Sequence, residues 1–336
     1  MGVPADHSQH TQNNTQNDFA DSTVNLTSEL TALTDHLSAI QFEGEDFFEA
    51  FLEDGGASAD ADVVTFLAGK LEISGLSFGG IPFGCSTLAV ESPEGERIFG
   101  RNFDWNHRDA LIVKSKPENG YASISTVNTD FIPGIAFSTL PDEAKALIAL
   151  YAPLDGMNEK GLAVSVNMIS DGSTISQNTE KPDITTTTAI RLLLNKAATV
   201  DEAIELLKEY DFHASMNFMV HLAIADADGN SVAVEYINDE MSVVKTPVVT
   251  NFYLTEGEKY GIGTQQSHTR YEILQERLEQ GAMTVEDVRD ALSSVSKGSF
   301  GEFESTEWSI VFNQTTGEVH YYHRENYENR YTFTVK

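Results

Sequence analysis

The chain has only one cysteine, few basic residues and no long hydrophobic run among its 336 amino acids. One thiol excludes an intramolecular disulfide and any zinc or iron–sulfur site built from several cysteines. No stretch approaches the roughly 20 consecutive apolar residues that a membrane-spanning helix needs. The 21 lysines and arginines face 52 aspartates and glutamates, giving a formal net charge of −31. Such a charge repels phosphate backbones, so we expect no nucleic-acid partner.

Lysine and arginine are absent from the first 69 positions, which carry 13 acidic side chains. Residues 1–22 are polar and almost free of large apolar groups, and are therefore expected to form a disordered tail. The start of the chain has neither the charged nor the apolar region of a signal peptide. This tail favours an exported or cell-surface bacterial protein whose signal has been removed, with a cytoplasmic protein as the alternative.

After the tail, apolar residues recur with a helical period, interrupted at Gly55-Gly56. We therefore predict a helical segment within residues 23–84. The pattern changes near position 80, and short apolar strands joined by hairpin turns are predicted beyond it. A functional boundary is placed there, between the segment 23–84 and a catalytic domain over 85–336.

The rest of the chain alternates strands and helices. Predicted strands lie at 147–153, 161–168, 218–226, 231–238, 308–313, 318–323 and 331–335, with a turn at 155–161. Predicted helices lie at 187–199, 200–209, 268–280 and 284–295. Strands interrupted by helices in this order predict an α+β fold with two stacked antiparallel sheets covered by helices.

The single cysteine, Cys85, opens an apolar strand, and Arg101 and Asp104 lie on the return strand of the same predicted hairpin. A lone cysteine is most often a small core residue, but a neighbouring guanidinium favours the reactive thiolate. No histidine lies near Cys85 in sequence, although a cysteine–histidine pair assembled by the fold stays open. If the bond after Gly84 is cut, the freed α-amine titrates near neutrality and can take the thiol proton, with Asp104 orienting that amine.

The segment GCSTLAVESPEGERIFGRNFDW resembles the nucleophile region of the choloylglycine hydrolase superfamily of cysteine amidases. In that family a cysteine opens one strand and an Arg-Asn-x-Asp block lies on the next. The later segments DGMNEKGLAVSVN, TPVVTNFY and SHTRYEIL are similar to further blocks of the family. The resemblance implies that Asn167 and Asn251 lie near the oxyanion, with Asn251 the first choice of donor, and that Arg270 is a second catalytic arginine. Alone, the asparagines are more typical of turns and strand ends, and Arg270 of a helix surface.

The resemblance also implies an N-terminal-nucleophile hydrolase fold, an αββα sandwich, with no cofactor and no metal. The implied reaction is hydrolysis of a small linear N-acyl amide, with a lipid-like, bile-acid or related acyl group, through a Cys85 thioester. The 84 residues before Cys85 resemble the layout of acid ceramidase and N-acylethanolamine acid amidase, where the leading segment is cut off by self-cleavage and stays attached. We therefore expect autocatalytic cleavage between Gly84 and Cys85 of a zymogen, with the helical pro-segment packed on the catalytic part.

Four apolar residues near the motif are candidates for an acyl pocket and equally for the core: Phe103, Trp105, Phe131 and Ile132. Two alternative functions stay open. One is an N-acyltransferase that passes the same thioester to an amine, and the other is an inactive acidic ligand-binding homologue. The segment DADGN has the residue types of a calcium loop but is better interpreted as a hairpin turn. A homo-oligomer is also left open.

Overall fold

A computed structural model describes residues 20–79, 83–105, 109–132, 135–298 and 305–336. The strands are β1 (Ala20–Thr23), β2 (Thr31–Thr34), β3 (Leu37–Gly44), β4 (Gly84–Glu91), β5 (Arg97–Trp105), β6 (Ala110–Pro117), β7 (Ser123–Asn128), β8 (Asp155–Asn158), β9 (Ala163–Met168), β10 (Asp183–Thr185), β11 (Asp211–His213), β12 (Val220–Ala225), β13 (Ser231–Ile237), β14 (Glu240–Lys245), β15 (Val248–Val249), β16 (Ser305–Asn313), β17 (Glu318–His323) and β18 (Asn329–Thr334). The helices are α1 (Phe48–Glu53), α2 (Asp60–Leu71), α3 (Ile135–Thr139), α4 (Asp142–Leu150), α5 (Thr186–Lys196), α6 (Val200–Lys208), α7 (Gln265–Glu279) and α8 (Val285–Ser294). None of these described helices combines the length and the apolar character that crossing a membrane requires.

Most of the strands form two large sheets. The seven-stranded sheet has the order β1-β18-β17-β16-β5-β4-β15, and the nine-stranded sheet has the order β14-β13-β12-β9-β8-β7-β6-β3-β2. Neighbouring strands in them run antiparallel, except that β1 is parallel to β18 and β3 is parallel to β6. Strands β10 and β11 form a separate short parallel pair. The prediction of two mainly antiparallel sheets is therefore confirmed, with two parallel pairings added.

Strand β5 shows how the layers are built, because its side chains alternate between two environments. Ile98 belongs to the apolar cluster formed with α7 and α8, whereas Phe99 and Phe103 belong to the larger cluster that includes both sheets. Helix α8 packs closely here, since a Cβ at Gly100 would lie 2.8 Å from Val288 Cγ1. Helices α4 and α5 pack on the nine-stranded sheet. The layer order is thus helix, sheet, sheet, helix.

The prediction of a helical segment over 23–84 is wrong in its first half. Residues 31–44 form β2 and β3, and β3 pairs with β6 along its whole length. A short apolar run fits either a strand or a buried helix, and pairing with a strand far along the chain decides the outcome here. The second half is helical, as predicted, in α1 and α2. The predicted tail also needs a correction, since residues 20–22 belong to β1 and residues 1–19 lie outside the described residues.

Two further expectations in the middle of the chain need correction. The predicted strand at 147–153 lies largely in α4, whose side chains are mostly buried, so its apolar run carries no strand period. The predicted turn at 155–161 is correct only in its second half, since residues 155–158 form β8, every residue of which is buried, and the chain turns at Glu159 and Lys160. The four later helices are confirmed, with bounds shifted by a few residues.

Candidate active site

Cys85 lies at the start of β4, next to β5, where Gly84 pairs with Asp104 and Cys85 with Phe103. The predicted hairpin is therefore confirmed. The Cys85 side chain is fully buried, and its Sγ lies 3.4 Å from the carbonyl oxygen of Val166 on β9 of the opposite sheet. Burial raises the pKa of the thiol, and the positive charge of Arg101 opposes that rise without overcoming it. In the uncut chain the sulfur is thus a protonated thiol at neutral pH.

Arg101 shares the Val166 carbonyl with the thiol. Its Nη2 donates to Val166 O at 3.1 Å, and its Nη1 donates to Asn102 O at 2.8 Å. Its Nε donates to Asp155 Oδ2 at 3.2 Å, and both side chains of this ion pair are fully buried. The guanidinium is therefore fixed on three sides beside the sulfur.

Asp155 was not predicted from the sequence, because its segment was interpreted as a turn. The Asp155 Oδ2 that faces Arg101 also accepts a hydrogen bond from Trp308 Nε1 at 2.9 Å. Burial raises the pKa of Asp155 above its ordinary value, and the charge of Arg101 and the Trp308 hydrogen bond offset only part of that rise. A carboxylate isolated in an apolar run, as in LYAPLDGM, was the available signal, since buried charges need a partner.

Arg270, on α7, approaches Cys85 from the helix side of the seven-stranded sheet. Its Nη1 donates to Cys85 O at 2.7 Å, to Ser86 Oγ at 2.7 Å and to Asp104 Oδ2 at 3.0 Å. The other oxygen of Asp104 accepts from Thr306 Oγ1 at 2.7 Å. Arg270 is only 2% exposed, so its interpretation as a helix-surface charge is wrong. Arg270 therefore fixes the carbonyl side of Cys85, and Asp104 holds Arg270 in place.

Asn251, two residues after β15, contacts the backbone of Cys85 through its side-chain oxygen. Oδ1 accepts the Cys85 N–H at 2.8 Å and Arg270 Nη2 at 2.9 Å. Its Nδ2 donates to Met168 O at 2.6 Å. The amide donor predicted for an oxyanion is therefore engaged by a carbonyl in the uncut chain, whereas the oxygen holds the nitrogen that cleavage would turn into an α-amine.

Asn167, on β9, bonds to the segment that carries Asn251. Its Nδ2 lies 3.2 Å from both Val249 O and Thr250 O, and its Oδ1 accepts from Ser165 Oγ at 3.0 Å. These contacts fasten the nine-stranded sheet to the end of β15. In the uncut chain Asn167 thus holds in place the segment that carries Asn251.

The predicted pocket residues form an aromatic cluster with Phe83, the residue before Gly84. The ring centroid of Phe83 lies 5.3 Å from that of Phe103, 5.9 Å from Trp105 and 6.1 Å from Phe131. Ile132 is also buried. In the uncut chain these side chains are core, with Phe83 filling the space among the rings.

A cleft of about 340 Å³ opens beside the Gly84–Cys85 bond. It is lined by Phe83, Gly84, Met168, Ser170, Asn251, Thr264, Gln266, Ser267, Arg270 and Lys297. Three of the predicted site residues, Gly84, Asn251 and Arg270, therefore line a cleft that is open to solvent. In the described parts of the chain, no cluster of three or more histidine, cysteine, aspartate or glutamate side chains is placed to hold a metal ion.

A sequence profile of the family described as acyl-coenzyme A:6-aminopenicillanic acid acyl-transferase matches residues 149–327, more than half of the chain. The chain belongs to this family. The matched range contains Asn167, Asn251 and Arg270 and begins after Cys85, Arg101 and Asp104. The expectation of membership in an enzyme family is confirmed at this level.

The chain is also similar to the penicillin V acylase of Pectobacterium atrosepticum, with 28% identity over 99 residues, 26% of this chain and 26% of that protein. The similarity thus spans about a quarter of the relative's length. Two solved variants of the conjugated bile acid hydrolase from Clostridium perfringens share the fold, with TM-scores of 0.53 and 0.51 and identities of 18% and 16%. Each alignment covers 71% of this chain and 89% of the other. These findings confirm the resemblance to the choloylglycine hydrolase superfamily and the N-terminal-nucleophile hydrolase fold.

Proposed function

We propose that this chain is a self-processing cysteine amidase that hydrolyses a linear N-acyl amide to a carboxylic acid and an amine through a Cys85 thioester. One observation carries the proposal: three groups of Cys85 are each held by a different partner. The thiol lies at Val166 O beside Arg101, the backbone N–H donates to Asn251, and the carbonyl accepts from Arg270. A core cysteine needs none of these arrangements.

Self-cleavage would be the first reaction of this site. The Cys85 sulfur attacks the Gly84 carbonyl carbon, the bond from that carbon to the Cys85 nitrogen breaks, and the thiol proton passes to that nitrogen. Water then hydrolyses the thioester to a Gly84 carboxylate and a free thiol. Gly84 suits this attack, because a Cβ there would lie 3.1 Å from Asp104 Oδ2 and would crowd the scissile bond.

The freed α-amine would then serve as the base for each later turnover. An α-amine titrates near pH 8 and can accept the thiol proton as the sulfur attacks. Burial raises the pKa of the thiol and opposes this transfer, whereas the charge of Arg101 favours it. Asn251 Oδ1 already accepts a hydrogen bond from this nitrogen, and Asp104 lies on the neighbouring strand. The nitrogen can therefore change from amide to amine without leaving its partner.

Arg101 would stabilise the sulfur as it loses its proton. A guanidinium next to a thiol favours the thiolate, and Asp155 keeps this guanidinium oriented by the bond to Nε. For the oxyanion, Asn251 Nδ2 stays the proposed donor once it is released from Met168 O, with Asn167 holding the segment in place. One such donor contributes roughly 3 kcal/mol to the transition state.

The acyl pocket follows from the geometry of the first reaction. Because the Gly84 carbonyl is the acyl group in self-cleavage, Phe83 occupies the place of a later substrate's acyl chain. Once the new C-terminus leaves, the space that Phe83 fills would be walled by Phe103, Trp105 and Phe131, with Ile132 nearby in the core. These walls favour an apolar or aromatic acyl group on a small N-acyl amide.

The N-terminal segment is expected to remain bound after cleavage. Strand β3 pairs with β6 over eight positions, and β1 pairs with β18. Beyond β3, Tyr151 Oη donates to Asp46 O at 2.8 Å, and Phe48 and Phe51 are buried against Tyr151. Cutting one peptide bond leaves all of these contacts in place.

The experiment that tests self-processing is the intact mass of the purified protein beside that of the Cys85→Ala variant. We expect two fragments meeting at Gly84 and Cys85 in the wild type only, and both fragments in one peak on size exclusion. Cleavage of Cys85→Ala at that bond would reject the mechanism. Cut wild-type protein that released no acid from a panel of N-acyl amides would reject the amidase.

A second candidate is acyl transfer to an amine, favoured by the acyl-transferase named in the family description. The two reactions share the thioester and differ in the nucleophile that resolves it. Adding a primary amine to the cut enzyme separates them, because a transferase converts the N-acyl amide to a new amide whereas a hydrolase continues to yield the acid.

A further inference from the structure

A buried histidine–glutamate pair lies against the segment that carries Asn251. His221 on β12 and Glu235 on β13 face each other across the hairpin, with His221 Nδ1 2.9 Å from Glu235 Oε1. Both side chains are fully buried. Neither was predicted from the sequence, yet the signal was available: a hairpin turning at DADGN places position 221 directly opposite position 235.

The hydrogen bonds assign the charges of this pair. His221 Nε2 lies 2.8 Å from Thr250 O, and a carbonyl oxygen only accepts, so Nε2 carries a proton. Glu235 accepts the backbone N–H groups of Leu254 and Thr255 at 2.9 Å and 2.8 Å. Burial raises the pKa of Glu235, but hydrogen bonds and the charge of His221 outweigh it and lower that pKa. Each ring nitrogen of His221 faces an acceptor, Glu235 Oε1 at Nδ1 and Thr250 O at Nε2, so His221 donates from both nitrogens.

The backbone groups that the pair binds all belong to the segment 250–255, which carries Asn251. Thr250 O lies in the same planar peptide unit as the Asn251 nitrogen, so His221 fixes the plane from which the Asn251 side chain departs. Glu235 fixes the other end of the segment at Leu254 and Thr255. The pair thus holds the segment at both ends while Asn251 points at Cys85.

We propose that His221 and Glu235 are positioning residues that set the Asn251 side chain for catalysis. This role rests on the proposed function, because it acts through the hydrogen bond from the Cys85 nitrogen to Asn251 Oδ1. The pair has no direct role in bond making. Its loss should therefore lower kcat and slow self-cleavage while leaving KM nearly unchanged.

The test is Glu235→Gln, which keeps the shape and removes the charge. One glutamine oxygen can replace Oε1, but its NH₂ group then meets the Thr255 N–H, and two donors cannot pair. We expect kcat and the self-cleavage rate to fall tenfold to a hundredfold, the range set by one hydrogen bond to a charged group. KM should stay within about threefold, since uniform substrate binding is untouched. Glu235→Asp, which keeps the charge, should recover part of the loss.

The matched control is Asp183→Asn, which breaks another histidine–carboxylate pair, His213 Nε2 to Asp183 Oδ1 at 2.8 Å, at β10 and β11. It should leave both rates within about twofold, because that pair contacts no group of the site. Equal losses in Glu235→Gln and Asp183→Asn, or a Glu235→Gln variant with wild-type kcat, would overturn the proposal.

Two measurements in the Cys85→Ala background need no activity. Hydrogen exchange of the peptide spanning 249–255 should be at least tenfold faster in Cys85→Ala/Glu235→Gln than in Cys85→Ala, since one of its buried hydrogen bonds is lost. Nitrogen NMR of ¹⁵N-histidine-labelled Cys85→Ala should show both His221 ring nitrogens protonated at neutral pH. Unchanged exchange or a neutral His221 ring overturns the proposal even if the enzyme is active. Wild-type protein without amidase activity, but with both expected results, overturns the proposed function and the catalytic role while leaving the anchoring in place.

Discussion

Replacing Asp155 by asparagine should destabilise the uncut protein more than any surface charge removal. Asp155 and Arg101 are both fully buried, and Arg101 Nε lies 3.2 Å from Asp155 Oδ2. Removing one partner of a buried ion pair costs about 3–5 kcal/mol, because the other charge remains buried and uncompensated. Asparagine keeps the volume and can still accept the Trp308 Nε1 hydrogen bond, so we expect the lower end, about 3 kcal/mol.

The assay is urea unfolding of Cys85→Ala and Cys85→Ala/Asp155→Asn, so that both chains stay uncut. The control is Glu205→Gln, which removes a surface ion pair. The side chain of Glu205 is 71% exposed and that of its partner Lys208 is 54% exposed. That exposed pair should change the free energy of unfolding by less than about 0.5 kcal/mol. A loss below about 1 kcal/mol for Asp155→Asn would refute the reasoning, since the carbonyls of Asn102 and Val166 would then suffice for Arg101.

A double variant separates stability from function at the same position. Arg101→Met/Asp155→Leu removes both charges and fills their space with apolar groups, an exchange that is often neutral or stabilising. We expect it to recover most of the stability lost in Asp155→Asn. In the chain that keeps Cys85, it should nevertheless abolish self-cleavage, because no guanidinium remains beside the sulfur.

Two further changes test the scissile bond and the loop that follows β9. Gly84→Ala should slow self-cleavage at least tenfold in a mass-spectrometric time course, because its Cβ would lie 3.1 Å from Asp104 Oδ2 and 3.2 Å from Asp104 Cβ. Cleavage at the wild-type rate would show that the Cβ does not crowd the scissile bond. Burial raises the pKa of Asp171, but hydrogen bonds from Lys259, Ser173 and Tyr253 outweigh burial and lower that pKa to about 2. Because the folded pKa lies below the unfolded value of about 3.9, this contribution to stability is present above pH 4 and lost as the pH falls through 2. The Tm difference between wild type and Asp171→Asn should therefore narrow over that window, and a constant difference would contradict the assignment.

The sequence predicted the hairpin of β4 and β5 well because its information is local. A turn at SPEGE between two apolar runs determines the pairing, and with it the placement of Arg101 and Asp104 near Cys85. The pattern over 31–44 failed for the opposite reason. In its pairing with β6, Leu37 lies opposite Ala110, which is 73 residues further along the chain. Nothing in the local sequence distinguishes a strand with so distant a partner from a helix.

The supporting residues were missed for a different reason. Asp155, His221 and Glu235 have no motif of their own, and their roles arise where separate strands bring them against Arg101 and the segment 250–255. Asn251 shows the same limit within a motif that was found. Its position was predicted. Whether its side-chain oxygen or its NH₂ group faces Cys85 depends on the donors around it, Arg270 and the Cys85 N–H.

That orientation bears on how one site can perform two reactions. On the proposed mechanism, the Cys85 nitrogen is first the leaving group and afterwards the base, and both roles need it held beside the sulfur. Asn251 Oδ1 can accept from an amide N–H and from an amine alike, and Arg270 keeps that oxygen turned toward Cys85 by donating to it. Arg270 also holds the Cys85 carbonyl and Asp104, and none of these contacts involves the bond that is cut. On this mechanism the uncut chain already holds the Cys85 nitrogen as the cut enzyme needs it. The steps that remain are the release of Asn251 Nδ2 from Met168 O and the departure of Phe83 and Gly84 from the ring cluster and the cleft.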